Sequence, residues 1–234
     1  MDSIRKLAAV LAGTPAHPQW LLGRRKIPGG VTSAFGTVLD VGAADRWVES
    51  HLPRGVDYVA LDYPATGRDL YGARPHVFAD AALLPFQGEQ FDGVICLEVL
   101  EHVPAPAKVV SEIARVLKPG GTAWISMPFL YPLHDAPFDF QRYTEFGLRR
   151  DANNAGLEVL FLGKRDHSLR AAGALMCLAI AGGVHSERGW TKIALLPLVF
   201  VAVLLINVAC WIGSLVWPDW GHMSTGYQLK LRRR

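Results

Sequence analysis

Five short apolar runs between residues 36 and 128 constrain the fold more than any other feature of the chain. They are GTVLDV (36–41), VDYVALD (56–62), HVFAD (76–80), FDGVICL (91–97) and TAWISMP (122–128). None alternates cleanly between apolar and polar residues, and helical patterns lie between several of them. ADRWVESHL (44–52) reads as a short helix that buries Trp47, Val48 and Leu52. In PAKVVSEIARVLKPGG (106–121), Val109, Val110, Ile113, Val116 and Leu117 fall at helical spacing. Lys118 is expected in the last turn of that helix and Pro119–Gly121 as its stop. Strands buried on both faces and separated by helices form a parallel sheet. Such a sheet binds ligands beyond the carboxyl ends of its strands, near the point where strand order reverses. The first four runs each end at or beside an acid: Asp40, Asp62, Asp80 and Glu98.

The remainder of the chain extends this pattern and then breaks it. A loop rich in proline and aromatics, PFLYPLHDAPFDFQRYT (128–144), leads into a helix, EFGLRRDANNAG (145–156), closed by Gly156. LEVLFLGKR (157–165) is a sixth strand, and STGYQLKLRRR (224–234) has the period of two that suits a seventh. Between them, SLRAAGALMCLAIAGGV (168–184) is apolar after Arg170, HSERGWTK (185–192) is a polar turn, and residues 193–217 carry no charge over 25 positions. As a helix that last run would be about 37 Å long, enough to cross a bilayer core of about 30 Å. Trp211 and Trp217 suit an interfacial belt. Three readings stay open: a single span, a helical hairpin that enters the membrane and returns, and a buried pair of helices forming a dimer face. A single crossing would strand the last strand on the far side of the membrane from its sheet. The first run is about 24 Å as a helix, so a re-entrant or in-plane hairpin is expected rather than two full crossings.

Composition narrows the function. Half of the 234 residues are hydrophobic and 19% are charged, as in a folded chain. The formal net charge of +3 gathers locally at Arg24–Lys26 and Arg232–Arg234, without the basic stripe of a nucleic-acid binder, and no nucleic-acid partner is expected. Cys96, Cys177 and Cys210 stand far apart in apolar runs and read as buried, reduced thiols, so zinc is not expected. Met1–Pro18, with Arg5 and Lys6 before a short apolar run, reads as an amphipathic helix rather than a signal peptide.

VLDVGAAD (38–45), VALDYP, FADAALLPF, FDGVICLEVLEHVPAP and VLKPGGTAWISMPF, in that order and spacing, resemble the class I S-adenosylmethionine-dependent methyltransferases. The resemblance is to the type 11 domain and the subgroup that includes quinone-biosynthesis C-methyltransferases. It covers about residues 36–165, with GYQLKL as the last strand. It implies an α/β, Rossmann-like, doubly wound sheet of seven strands, mostly parallel with the last antiparallel. The hydrophobic helical insertion before the last strand departs from the family, whose soluble members have a short connection there.

The expected division of the chain is a helical segment at 1–30, a core at 31–167, the insertion at 168–217 and the last strand with its basic tail at 218–234. The implied cofactor is S-adenosyl-L-methionine. Gly42 would let backbone approach it, and amides at Ala43 and Ala44 would meet its methionyl carboxylate. Asp40 would orient the loop or take the amino group. Asp62, followed by Tyr63, would accept both ribose hydroxyls, Asp80 with Ala81 would meet the adenine, and Leu97 and Glu98 would line the methionyl side. Taken singly, Asp40 and Asp62 also read as caps or turn formers. The usual loop has two further glycines where this chain has Ala44 and Arg46.

The acceptor side is less determined. Glu101 and His102 either line the site or open the next helix. Glu101 beside His102 is not a metal pair, since one more acid and an open geometry would be needed, and no metal site is expected. The string H-x-x-P-x-D-x-x-R-Y-T resembles one in bacterial methyltransferases of glycan and envelope biosynthesis. His134 is the candidate general base. Asp139, Arg142, Tyr143 and His102 are candidate acceptor contacts, while Asp139 and Arg142 also read as a pair bracing the loop. The expectation is a methyltransferase at the cytoplasmic face of the membrane, acting on a lipophilic or glycan-related small-molecule acceptor. Its alternatives are a soluble cytoplasmic enzyme with a dimerising insertion and a non-catalytic membrane scaffold.

Overall fold

The computed structural model describes residues 11–23, 25–69, 72–187 and 189–234. Residues 1–10, with Arg5 and Lys6, lie outside them, as do Arg24 and Arg188. The chain divides into two compact units.

The larger unit, residues 26–129, 133–163 and 226–234, holds a seven-stranded sheet in the order β3-β2-β1-β4-β5-β7-β6. The strands are β1 (Thr37–Val41), β2 (Asp57–Asp62), β3 (Val77–Phe78), β4 (Phe91–Leu97), β5 (Leu117–Pro128), β6 (Leu157–Lys164) and β7 (Gly226–Arg233). The β1–β2, β1–β4, β2–β3 and β4–β5 pairs are parallel, and β7 runs antiparallel to β5 with Gly226 opposite Pro128. The expected doubly wound sheet with an antiparallel last strand is therefore present. Order reverses between β1 and β4, which places the ligand end beyond Val41 and Leu97. Because Gly226 faces Pro128, the chain enters β7 at that same end.

The strands fail to alternate in sequence because both faces are covered. Leu39, Val41, Val94, Cys96, Ala123 and Ile125 point into one layer, under helices α2 (Pro106–Val116) and α3 (Glu145–Asn154). Val109, Ile113, Val116, Leu148 and Ala152 fill that layer from the helices. Val38, Ile95 and Trp124 point to the other, where Val31, Ala34 and Val48 cover them. This second cover is not an α-helix. The segment expected to be one, 44–52, forms only a 3₁₀ turn at Glu49–His51, and of its three expected core residues only Val48 is fully buried. Two local facts exclude the helix. Ala44 and Arg46 have left-handed φ values of 44° and 59°, and Pro53 forces Leu52 into extended backbone at ψ 150°.

A second correction concerns Lys118. Helix α2 stops at Val116, and Leu117 is already extended, since Pro119 bars Lys118 from helical backbone. Lys118 lies in β5 instead, where its Nζ donates to Asp92 at 2.8 Å. A short helix with no periodic apolar pattern to announce it, α1 (Pro64–Asp69), follows β2, with Pro64 at its first position.

The smaller unit, residues 1–25, 130–132 and 164–225, is built on two helices, α4 (Ser168–Ser186) and α5 (Gly189–Val216). They pack as an antiparallel hairpin. Arg170 Nε donates to Ser214 Oγ at 2.8 Å, a Cβ on Gly173 would strike Cys210, and Cys177 lies at Asn207, so partner numbers fall as residue numbers rise. The polar turn expected over 185–192 is shorter. His185 and Ser186 extend α4, Ser186 Oγ bonding Gly182 O at 3.1 Å, and Gly189–Lys192 open α5. Buried Asn207 is satisfied by the carbonyls of Pro15 and His17, at 2.6 and 3.0 Å. The described part of the N-terminal segment is made of turns and one 3₁₀ turn at Trp20–Leu22.

The hairpin is pinned at its base. Asp166 accepts from Ser224 Oγ at 2.8 Å and from the Thr225 amide at 3.0 Å, and also from the Thr225 hydroxyl. Lys164 Nζ donates to Asp219 at 2.6 Å, and Asp219 also takes the Ser168 amide at 2.9 Å. The two crossings of the chain thus meet side by side.

Candidate active site

The first loop at the ligand end replaces a glycine pattern with strain. Gly42, Ala44 and Arg46 all hold left-handed φ, at 73°, 44° and 59°, the three places where glycine is easiest. Gly42 is indispensable for a reason other than ligand approach: a Cβ there would lie 2.2 Å from Val99 Cγ2. The Gly42 and Ala43 amides both donate to Leu61 O, at 2.9 and 3.0 Å, and the Ala44 amide donates to Asp62 Oδ2 at 2.7 Å. The amides expected to meet a cofactor carboxylate at Ala43 and Ala44 are thus engaged within the protein. An α-helix there would have left its first amides unpaired, and no α-helix forms.

Asp62 ends β2 and is 5% exposed. Its Oδ1 takes the Tyr63 amide at 2.7 Å, its Oδ2 the Ala44 amide. Each carboxylate oxygen has a second acceptor position. Burial holds its carboxyl above the ordinary range, against the two amide bonds. Asp40, on the neighbouring strand, accepts from Tyr58 Oη at 2.6 Å. Arg46 turns its guanidinium over the Tyr58 ring, 5.5 Å from the centroid, and pairs with Glu49 at 2.9 Å. Asp80 is exposed, with Oδ1 on the Ala82 amide at 2.8 Å, and Ala81 is buried. Glu98, with φ 56°, follows Leu97, and its Oε1 accepts from buried Ser126 at 2.6 Å. The structure therefore brings Asp40, Asp62, Asp80 and Glu98 to successive strand ends, as expected.

Asp40 gives a pH signature. Burial first, then the Asp62 and Asp45 carboxylates, push its carboxyl up to about 7, despite the Tyr58 hydrogen bond. Unfolded, it titrates near 3.8. Between those values the native state holds a proton that the unfolded chain has lost, so stability falls as pH rises through the window. At about 1.4 kcal/mol per unit this totals roughly 4 kcal/mol. Asp40→Asn removes the slope, so thermal midpoints of the variant gain on wild type from pH 4 to 7. Parallel midpoint curves would sink the assignment.

The loop 129–144 is laced to the turn that follows β4. Gln141 Nε2 donates to Leu100 O and Val103 O, both at 2.6 Å, the Phe140 amide donates to Glu101 O at 2.8 Å, and His102 Nδ1 meets Phe138 O at 2.8 Å. Asp139 organises the loop itself. It takes the His134 amide at 2.9 Å, faces His134 Nδ1 at 3.2 Å, and is held bidentately by Arg142. The Arg142 hydrogen bond keeps its carboxyl down at about 2. His134 and His102 rings stand edge to face, 4.9 Å apart. Glu101 is wholly buried. Tyr143 is drawn away to α3, where burial and then Asp151 push its hydroxyl up to about 12.

Residues 39–125 match the family model described as a methyltransferase domain. Curated relatives are ubiquinone biosynthesis O-methyltransferases. That of Hahella chejuensis is 38% identical over 99 residues, 38% of this chain and 42% of that one. That of Dechloromonas aromatica is 54% identical over 108 residues, 41% and 46%. The chain spans less than half the length of these relatives. Among solved structures, a Galdieria sulphuraria protein assigned as a sarcosine dimethylglycine methyltransferase matches with TM-score 0.55 at 18% identity, over 87% of this chain and 80% of that one. The [4+2]-cyclase SpnF matches with TM-score 0.50 at 20% identity, over 87% and 77%. These two likenesses carry the fold.

Proposed function

We propose, for a chain whose residues 39–125 form a methyltransferase domain of the class I type, that the protein transfers a methyl group from S-adenosylmethionine to a hydroxyl of a lipophilic, quinone-type or lipid-linked acceptor at the cytoplasmic face of a membrane. The observation that carries the reading is the row of acids at successive strand ends, with Asp62 at its centre. The cofactor's groups are donors, namely two ribose hydroxyls, an adenine amino group and an ammonium, and the row supplies acceptors. Asp62 would use the second acceptor position of each oxygen for the ribose, Asp80 its second oxygen for the adenine, and Asp40 and Glu98 would serve the methionyl end. Arg46 leans on Tyr58 and Glu49, and this supports room in the loop for the methionyl tail. When bound, the cofactor supplies an electrophilic methyl on sulfonium.

The acceptor side is read from the laced loop. Asp139, held ionised by Arg142, fixes the His134 ring through Nδ1 at 3.2 Å, and this supports the loop that carries His134 and Arg142, with His102 beside it, as the acceptor side. Support for a lipophilic acceptor comes from the quinone-pathway relatives and from the hairpin. Helix α5 is only 11% buried over its most apolar window and α4 28%, whereas core helices of soluble proteins are mostly buried. Trp190, Trp217 and Trp220 are exposed at the two ends of α5, about 40 Å apart between the first two, the depth of a bilayer with its interfaces. Helix α4 reaches about 28 Å at 19 residues, longer than sequence reading allowed, so two full crossings fit. The test is transfer of labelled methyl from S-adenosylmethionine into membrane lipid extracts of a deletion strain. Label in one lipid species that the wild-type strain already carries methylated supports the reading, and no incorporation with intact cofactor binding favours a scaffold.

A further inference from the structure

We infer that Glu101, His102 and His134 form a binding site for one divalent metal ion of the zinc type. One ligand atom from each residue lies within 4.8 Å of the other two. Bonds of about 2.0–2.2 Å to a shared ion require the three to close by roughly an ångström, within reach of side-chain rotation.

Each ligand is prepared for the role. Glu101 is fully buried, and neither Oε1 nor Oε2 has a hydrogen-bond partner. Its Oε1 lies 3.6 Å from His102 Nε2. A carboxyl group stripped of water and left without a donor is costly, and a bound cation removes that cost. His102 has its Nδ1 on Phe138 O at 2.8 Å. A carbonyl only accepts, so Nδ1 carries a proton and Nε2 is the ring nitrogen that faces Glu101. Asp135 Oδ2 stands 4.0 Å from the same nitrogen. A ring nitrogen facing two carboxyl groups needs a proton or a cation between them. His134 has Nδ1 on Asp139 at 3.2 Å, and Arg142 holds Asp139 in turn. Imidazoles that ligate metals are commonly oriented by a carboxylate or carbonyl on the other nitrogen, and both histidines show this. Two imidazoles and one carboxylate are a zinc donor set that keeps a further position open. The His102 and His134 side chains are 18% and 30% exposed, so an ion has an entry path.

This assigns His134 as a ligand in place of a general base. It goes beyond the methyltransferase reading and does not rest on it. The test is titration of the chelator-treated full chain in detergent with Zn²⁺ by calorimetry, and with Co²⁺ by visible absorption. One equivalent of Zn²⁺ is expected per chain, with cobalt d–d bands of a low-coordinate nitrogen–oxygen site. Glu101→Gln and His134→Ala should each lower the affinity at least tenfold and abolish the bands. If Glu101→Gln does not fold, His134→Ala alone decides, because His134 sits on a partly exposed loop. S-adenosylhomocysteine binding, followed in the same samples, reports on the cofactor reading separately. Absence of stoichiometric Zn²⁺ binding, or binding that neither variant weakens, overturns the inference.

Discussion

Asp62→Ala is expected to lose at least about 100-fold in affinity for S-adenosylmethionine. The carboxylate would make two charge-assisted bonds to the ribose, each contributing about 1.5–3 kcal/mol. The same change removes the acceptor of the Ala44 and Tyr63 amides, and each buried amide left unpaired costs about 1–3 kcal/mol. Loss of stability and loss of binding therefore coincide in this variant. Asp62→Asn separates them, because its one oxygen keeps the Ala44 amide while the ribose loses a charged acceptor. Its melting temperature should recover about half of the difference, since the Tyr63 amide stays unpaired, while its affinity stays low. Calorimetric titration measures the second quantity and thermal unfolding the first. An Asp62→Ala protein that binds the cofactor as tightly as wild type would remove Asp62 from the site.

The sheet was legible because its strands obey a simple rule. A run buried on both faces has no reason to alternate, and β1, β2, β4 and β5 all fall where uniform apolar runs predict them. Where local backbone overrode periodicity, sequence reading failed. Val48 does bury its side chain from 44–52, but left-handed Ala44 and Arg46 and the proline at 53 deny the segment its helix. Nothing in residue type announces φ > 0 at an arginine. The spacing of Gly42, Ala44 and Arg46 announced it only as a family habit, which the structure retains after two of the glycines have gone.

The two halves of the candidate site differ in the same way. Asp40, Asp62, Asp80 and Glu98 were visible because the chain order of strands carries each acid to the sheet's ligand end, whatever the loops do. Glu101 and His102 were ambiguous because their meaning depends on residues 32 or more positions away. The laced loop brings His134 to them, with Gln141 and Phe140 bonded to the 100–103 turn. No spacing rule for metal ligands covers a contact made by a tertiary strap. The signal available in sequence was indirect: a glutamate at a position that the neighbouring Leu100 and Val99 mark as core.

The apolar unit should prove separable from the sheet, and this is the largest effect expected. Asp166 binds both Ser224 and Thr225, so the two crossings already touch. A glycine–serine linker of about six residues, with a root-mean-square reach of about 13 Å, can replace 167–223 without straining β6 or β7. The full chain is expected to pellet with membranes after high-speed centrifugation without detergent, since α5 exposes Ile193, Leu198, Leu205, Ile212 and Leu215. The linked variant should stay in the supernatant and bind S-adenosylmethionine as wild type does, because Asp62, Asp80 and the β1 loop are untouched. Its turnover of a membrane-embedded acceptor should fall more than tenfold, while a short-chain, water-soluble acceptor analogue is methylated at an unchanged rate. A bilayer concentrates enzyme and lipid acceptor in two dimensions, and a soluble analogue gains nothing from it. The competing account, a dimer face, makes the opposite forecast for the first step. There the full chain would remain soluble without detergent at twice its monomer mass, and deletion would yield monomers equally active on both acceptors.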